Sequence, residues 1–195
     1  MSTELAQAEK ELFELTQKVA KLRAANPGNE VKNYSFKTMY GEIHLLDLFG
    51  KHDTLFLIHN MGQACRYCTL WADGLNGFIP HLESQFAFAM VSKDDPELQR
   101  QMANSRGWRF QMASHKESDY LKDQNIGTDY SNAPGMTCYK REGDKILKMN
   151  SVPFGPGDEF CSLWNVLSLA GISAEQFTPE YNYWQRPKKL EDGGE

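Results

Sequence analysis

Cys65 and Cys68 bracket Arg66 and Tyr67 in the stretch FLIHNMGQACRYCTLWADGL. Two thiols at that spacing can form a redox-active dithiol, half of a zinc site, or a pair of inert core side chains. Zinc needs a second pair of ligands. The remaining cysteines, Cys138 and Cys161, have 22 residues between them and no histidine at ligand spacing. Free cysteine is also often a small buried hydrophobe. The surrounding sequence favours the dithiol. A run of strand formers, Thr54 to Asn60, empties through Gly62 into Cys65, and an apolar helix-like segment follows. Cys65 would then open a helix, where unpaired amides and the positive end of the dipole face its sulfur. Arg66 adds a neighbouring positive charge. Both effects favour the thiolate, which is the nucleophile in disulfide chemistry. Cys68 lies one turn deeper and within disulfide reach, so Cys65 is read as the attacking sulfur and Cys68 as the resolving one.

Other side chains could serve this pair. His59 ends the strand six residues before Cys65, where a histidine is either a proton shuttle or a satisfied core residue. Asp73 is two helical turns beyond Cys65. A carboxylate there could take the proton of the resolving thiol, or simply hold a hydrogen bond along the helix. Trp71 and Trp108 read as packing residues, and Cys138 and Cys161 as core.

Composition limits what these residues can be part of. The 195 residues are 41% hydrophobic and 24% charged, the profile of one globular domain with enough core to fold without staples. A net charge of -5 with pI near 5.6 leaves no basic footprint for nucleic acid. The longest apolar run falls well short of the roughly 20 residues that a membrane span requires. The acidic start, MSTELAQAEKELFEL, has neither the charged n-region nor the apolar centre of a secretory signal. A reducing cytoplasm is the expected compartment, and structural disulfides are not expected there.

The elements that must position the dithiol follow from periodicity. Leu5, Ala8, Leu12, Leu15, Val19 and Leu22 recur every three or four residues and predict a helix ended by Asn26-Pro27-Gly28-Asn29. A short strand is expected at Asn33 to Phe36, with a turn near Gly41. Thr54 to Asn60 and Phe86 to Ser92 read as buried central strands. The helix after Cys65 is expected to run to about Ile79, with Pro80 ending or kinking it. A further helix follows with Asp94 as its N-cap and Pro96 in its first turn. RFQMAS suggests another strand, and His115 to Asn132 shows no clear period. A hairpin is expected around Glu142-Gly143-Asp144, then a last amphipathic helix closed by Gly171. The charged tail KKLEDGGE reads as disordered. This order describes a three-layer α/β domain.

The stretch from Cys65 through Tyr120 resembles a family labelled as predicted dithiol-disulfide oxidoreductases, a thioredoxin-like group. The residues that carry the likeness are Cys65, Cys68, Trp71-Ala72-Asp73-Gly74, His81-Leu82, Val91-Ser92, Gly107-Trp108 and Ser118-Asp119, with Leu45 to Phe49 further upstream. The resemblance implies a thioredoxin-like fold with a mixed central sheet and disulfide chemistry. The loop before Cys65 and the region from Thr128 to Pro134 are shorter than is usual for that family. Pro134 precedes the strand expected at Met136 to Lys140, at a spacing similar to the cis-proline of thioredoxins. A cis bond there would leave backbone groups free for an extended substrate, whereas a trans bond would make it a turn proline. AMVSKDDPEL is more distantly similar to peroxide-reducing relatives of thioredoxin. Those enzymes place a Thr or Ser three residues before the peroxidatic cysteine, and here Gly62 holds that position before Cys65.

The expected organisation is an N-terminal amphipathic helix over 1–28, a thioredoxin-like domain over 29–175 and a C-terminal extension over 176–195. The expected activity is thiol–disulfide exchange by Cys65 and Cys68, supported by Arg66, Tyr67, His59, Asp73 and Pro134. It needs no metal and no organic cofactor. Its partners would be a disulfide- or thiol-bearing substrate and a thiol electron donor, with neither nucleic acid nor membrane. Peroxide reduction and a non-catalytic binding module remain as alternatives. The narrow stripe of the first helix suits another helix, so it is expected to contribute to a homodimer.

Overall fold

A computed structural model describes residues 3–126 and 131–180 of the chain. Its centre is β4 (Thr54–His59), parallel to β5 (Ala87–Ser92), which is in turn parallel to β6 (Gln111–Ser114). On the other side, β7 (Gly135–Glu142) runs antiparallel to β4 and is joined by a hairpin to β8 (Lys145–Pro153). The sheet is completed by β1 (Asn29–Val31) against β8, and by the hairpin of β2 (Ser35–Thr38) and β3 (Gly41–His44) beside β6. The eight strands lie in the order β1-β8-β7-β4-β5-β6-β2-β3. Every residue of β5 is buried. That is why AFAMVS shows no polar alternation: both of its faces are covered.

Two apolar clusters fill the two sides of the sheet. Leu55 and Leu57 of β4 point into one, with Phe36, Phe49, Tyr120 and Tyr139. Ile58 points into the other, with Trp71, Met90, Trp108 and Trp164, and Phe56 packs against it. This is the two-residue alternation of a strand with both faces occupied. The second cluster is roofed by α2 (Arg66–Asn76), α3 (Ile79–Leu82), α4 (Pro96–Arg106) and α6 (Ser162–Leu169). The first is covered by the short 3-10 turn Asp47–Phe49 and by α5 (Tyr120–Gln124). The result is a thioredoxin-like three-layer domain with a mixed sheet, preceded by the helix α1 (Thr3–Ala24).

Several expectations shift. The helix after Cys65 stops at Asn76, and Pro80 lies in the first turn of α3. A proline in that turn gives up an amide that has no intrahelical partner anyway, so it starts a helix more readily than it ends one. Asp95, not Asp94, stands at the N-cap position of α4, with no side-chain capping bond and its carboxylate on Lys116 Nζ at 3.0 Å. Asp94 is drawn away because its carboxylate accepts the backbone amide of Gln63, at 2.7 Å. β1 and α5 carry too little periodicity to have been expected. α1 forms over the expected seam, and none of its residues is buried. The C-terminal extension beyond residue 180 and positions 128–130 of the abbreviated segment lie outside the described residues.

Candidate active site

The central strand β4 ends at His59, and the five residues Asn60 to Ala64 turn the chain into α2. The turn is held from three directions. The Asn60 side chain accepts the amide of Gly62 at 2.7 Å, and its own amide points at Met90 Sδ, 3.4 Å away. Asp94 holds the amide of Gln63 from the loop after β5. Asn132 donates to the carbonyl of Met61 at 3.3 Å. Gly62 has φ +114, and a Cβ built there would stand 2.8 Å from Asp94 Oδ1. A side chain at position 62 would therefore meet both backbone strain and the carboxylate that organises the loop.

Cys65 is the N-cap of α2 in extended conformation, and its sulfur accepts the amide of Cys68 at 3.0 Å. This is the capping geometry of Ser or Asp with a sulfur in the acceptor position. Thr69 adds its amide and hydroxyl to the Cys65 carbonyl, each at 3.1 Å. The two sulfurs are joined as a disulfide across Cα atoms 5.2 Å apart. Cys65 is half-buried, while Cys68 is only 3% exposed. One sulfur can be reached from outside and the other can be reached from the first. Cys138 is half-buried and Cys161 buried, and burial pushes both of their thiols up. Among the described residues, no group of three or more His, Cys, Asp or Glu is gathered as a metal would require.

The remaining sequence candidates fall into two groups. Arg66 and Tyr67 are half-buried in the first turn of α2. The Tyr67 ring lies 6.1 Å from that of Trp71 and 6.4 Å from that of Trp164, with its hydroxyl toward the carbonyl of Phe177. His59 is fully buried and stacked on Tyr120, its centroid 5.1 Å from that of His115. Its Nε2 meets the Asn132 side-chain oxygen at 2.9 Å, and Nδ1 has no hydrogen-bond partner among the described residues. Burial pushes the pKa of His59 down from its ordinary value, which favours the neutral imidazole.

Asp73 faces away from the sulfurs in its bonding: it accepts Nε of Arg106 and Nε1 of Trp108, each at 2.8 Å, and Nη2 of Arg106. The carboxylate thus ties α2 to the end of α4. Pro134 departs from the thioredoxin pattern, since no cis peptide bond occurs among the described residues. The groups on either side of it are also occupied within the chain. Ala133 donates its amide to Asn125, and the Pro134 carbonyl accepts Phe154 N at 2.9 Å. Neither is free for a substrate strand.

The sequence alone does not mark Asn60 or Asn132 as part of the site, and it places Asp94 as a helix cap rather than at this loop. Asn60 carried a usable signal, an Asn two residues before a Gly at a strand exit, which is the signature of a side-chain-closed turn. The other two act across 31 and 71 residues of chain and leave no local trace.

The fold has solved relatives. The chain is similar to a cysteine-to-serine mutant of peroxiredoxin Q from Xylella fastidiosa, at 13% identity and TM-score 0.54, covering 74% of this chain and 96% of that one. A peroxiredoxin Q mutant from Xanthomonas campestris matches at 13% identity and TM-score 0.51, over 71% and 91%. A yeast mitochondrial one-cysteine peroxiredoxin matches at 14% and 0.52, over 74% and 76%. At such identities the likeness is one of fold. No curated protein matches the sequence. A family model described as "bacterial protein of unknown function (DUF899)" matches residues 1–189, and the chain belongs to that family.

Proposed function

We propose that the protein is a thiol–disulfide oxidoreductase whose working group is the Cys65–Cys68 pair. The observation that carries this reading is the asymmetry of the two sulfurs: Cys65 caps a helix with its sulfur on an amide, and Cys68 is buried behind it. In the reducing direction, the Cys65 thiolate attacks one sulfur of a substrate disulfide. A mixed disulfide forms, and the other substrate sulfur leaves as a thiolate that takes a proton from solvent. Cys68 loses its proton and attacks Cys65 Sγ, which breaks the mixed disulfide and releases the second substrate thiol. Two electrons pass to the substrate, and a thiol donor returns them to the pair by the reverse exchange. Arg66 supports the thiolate by its charge, and Tyr67 borders the helix start.

Peroxide reduction at Cys65 is the second reading, supported by the likeness of fold to peroxiredoxins. It would make a sulfenic acid at Cys65 and release water or an alcohol, with Cys68 then closing the disulfide and releasing water. Against it stands Gly62, where those enzymes carry a hydroxyl. Asp94 closes the space in which a side chain would have to stand.

Trapping separates the roles. With a mixed-disulfide probe on a thiol-bearing protein, Cys68→Ser accumulates a stable covalent adduct, whereas Cys65→Ser forms little or none. Equal trapping by both variants, or trapping by Cys65→Ser alone, would overturn the assignment. Fast peroxide consumption with a sulfenic acid at Cys65 in Cys68→Ser would move the protein to the second reading.

A further inference from the structure

We propose that a second copy of this chain covers α1, the two helices lying antiparallel about a two-fold axis that passes between Leu12 and Leu15. α1 is 22 residues long with no buried residue, and Leu12, Leu15 and Leu22 remain 64%, 56% and 63% exposed. An isolated helix of this length is marginal in water, and an exposed apolar seam along it marks a contact surface. Its last turn is fixed to the body. Arg23 lies 3.6 Å from Glu159 with its guanidinium 5.7 Å above the ring of Phe160, and Asn150 donates to the Arg23 carbonyl. The seam is therefore presented in a set orientation.

The charges along the helix say which occupant fits. Glu4, Glu9, Glu11 and Glu14 precede Lys18, Lys21 and Arg23 along it, with Lys10 as the exception. With Leu5, Leu12 and Val19 at the a positions and Ala8, Leu15 and Leu22 at d, Glu4, Glu11 and Lys18 flank the seam on one side. Glu9, Thr16 and Arg23 flank it on the other. A parallel pair would set Glu4 against Glu9 and Lys18 against Arg23, like charges at both ends. An antiparallel pair sets Glu11 against Lys18 of the second copy, twice by symmetry, and Glu9 against its uncharged Thr16, so no like charges meet across the seam. It also packs Leu12 on Leu15 and opposes the two helix dipoles. The helix complements its own reverse.

The test is sedimentation equilibrium of the full chain at tens of micromolar, with helix content followed by circular dichroism. The proposal expects a dimer that Leu12→Asp weakens by roughly a hundredfold or more, since the seam loses apolar contact and gains charge at two symmetric places. Glu11→Lys and Lys18→Glu, measured separately, each weaken self-association by roughly tenfold through like-charge contacts. Mixed together, the two single variants form a heterodimer at near-native affinity, because each position 11 then again faces a position 18 of opposite charge. A monomeric full-length chain overturns the proposal. So does a dimer indifferent to Leu12→Asp, and so does a mixture that fails to associate, which would exclude the antiparallel register.

Discussion

Cys65, Cys138 and Cys161 face different solvents, and their chemistry should follow. Cys65 is half-buried at a helix start, with an amide directed at its sulfur. Cys138 is enclosed in β7, and burial also raises the Cys161 thiol although that residue, too, precedes a helix. Desolvation opposes the thiolate in both, and nucleophilicity depends on the thiolate. In the fully reduced protein at neutral pH, iodoacetamide should label Cys65 at least about tenfold faster than either of them. Peptide mapping after brief labelling reads the ratio. Labelling dominated by Cys138 or Cys161 would remove the special environment argued for Cys65.

Asp73 ties two helices together, with Asn76 bonded to the chain just beyond α4 as its neighbour in that task. The Asp73 carboxylate holds Arg106 at the end of α4 and the indole of Trp108 beyond it. Asp73→Ala would leave a mostly buried guanidinium and a buried indole N–H without that acceptor, which should cost about 1–3 kcal/mol in urea denaturation. Cys65 labelling should stay within about twofold of the wild type, since a tie between helices sets stability and not the reactivity of the sulfur. A large loss of labelling with unchanged stability would instead make Asp73 a proton acceptor for the dithiol. The strands and helices around this tie were legible because their apolar residues repeat: β4, β5, the hairpin β7–β8 and α1 all stand where periodicity puts them. The dithiol at a strand–helix junction was legible for the same reason. What escaped were features set by distant partners. Asp94 and Asp95 look equivalent as caps until Gln63 takes one of them, and Pro80 could end one helix or begin the next. α5 has five residues, too few to show a period, and is held mainly by Tyr120 in the core.

Across the whole molecule, the pair His59 and His115 links the fold to pH. His115 is buried beside His59, and its pKa is lowered to about 4 from an ordinary 6.5, first by burial and then by the neighbouring imidazole. His59 is lowered as well. A base whose folded pKa is depressed takes its proton first in the unfolded chain, so acid favours unfolding. Stability from His115 should be fully present above about pH 6.5 and decline toward pH 4, by about 3 kcal/mol in all. Urea midpoints at successive pH values should show this fall, and His115→Asn should flatten it between pH 7 and 5, a range above most carboxylate titrations. An equal slope in the variant would place the acid sensitivity elsewhere. The loop before Cys65 has a different kind of consequence. Its Gly62 and Gln63 amides and its Met61 carbonyl are satisfied by Asn60, Asp94 and Asn132, through bonds in which neither sulfur takes part. For the proposed exchange, the expectation is that oxidation is recorded in a single covalent bond rather than in the shape of the chain around it. A partner that tells the two states apart would then have to sense the sulfurs themselves.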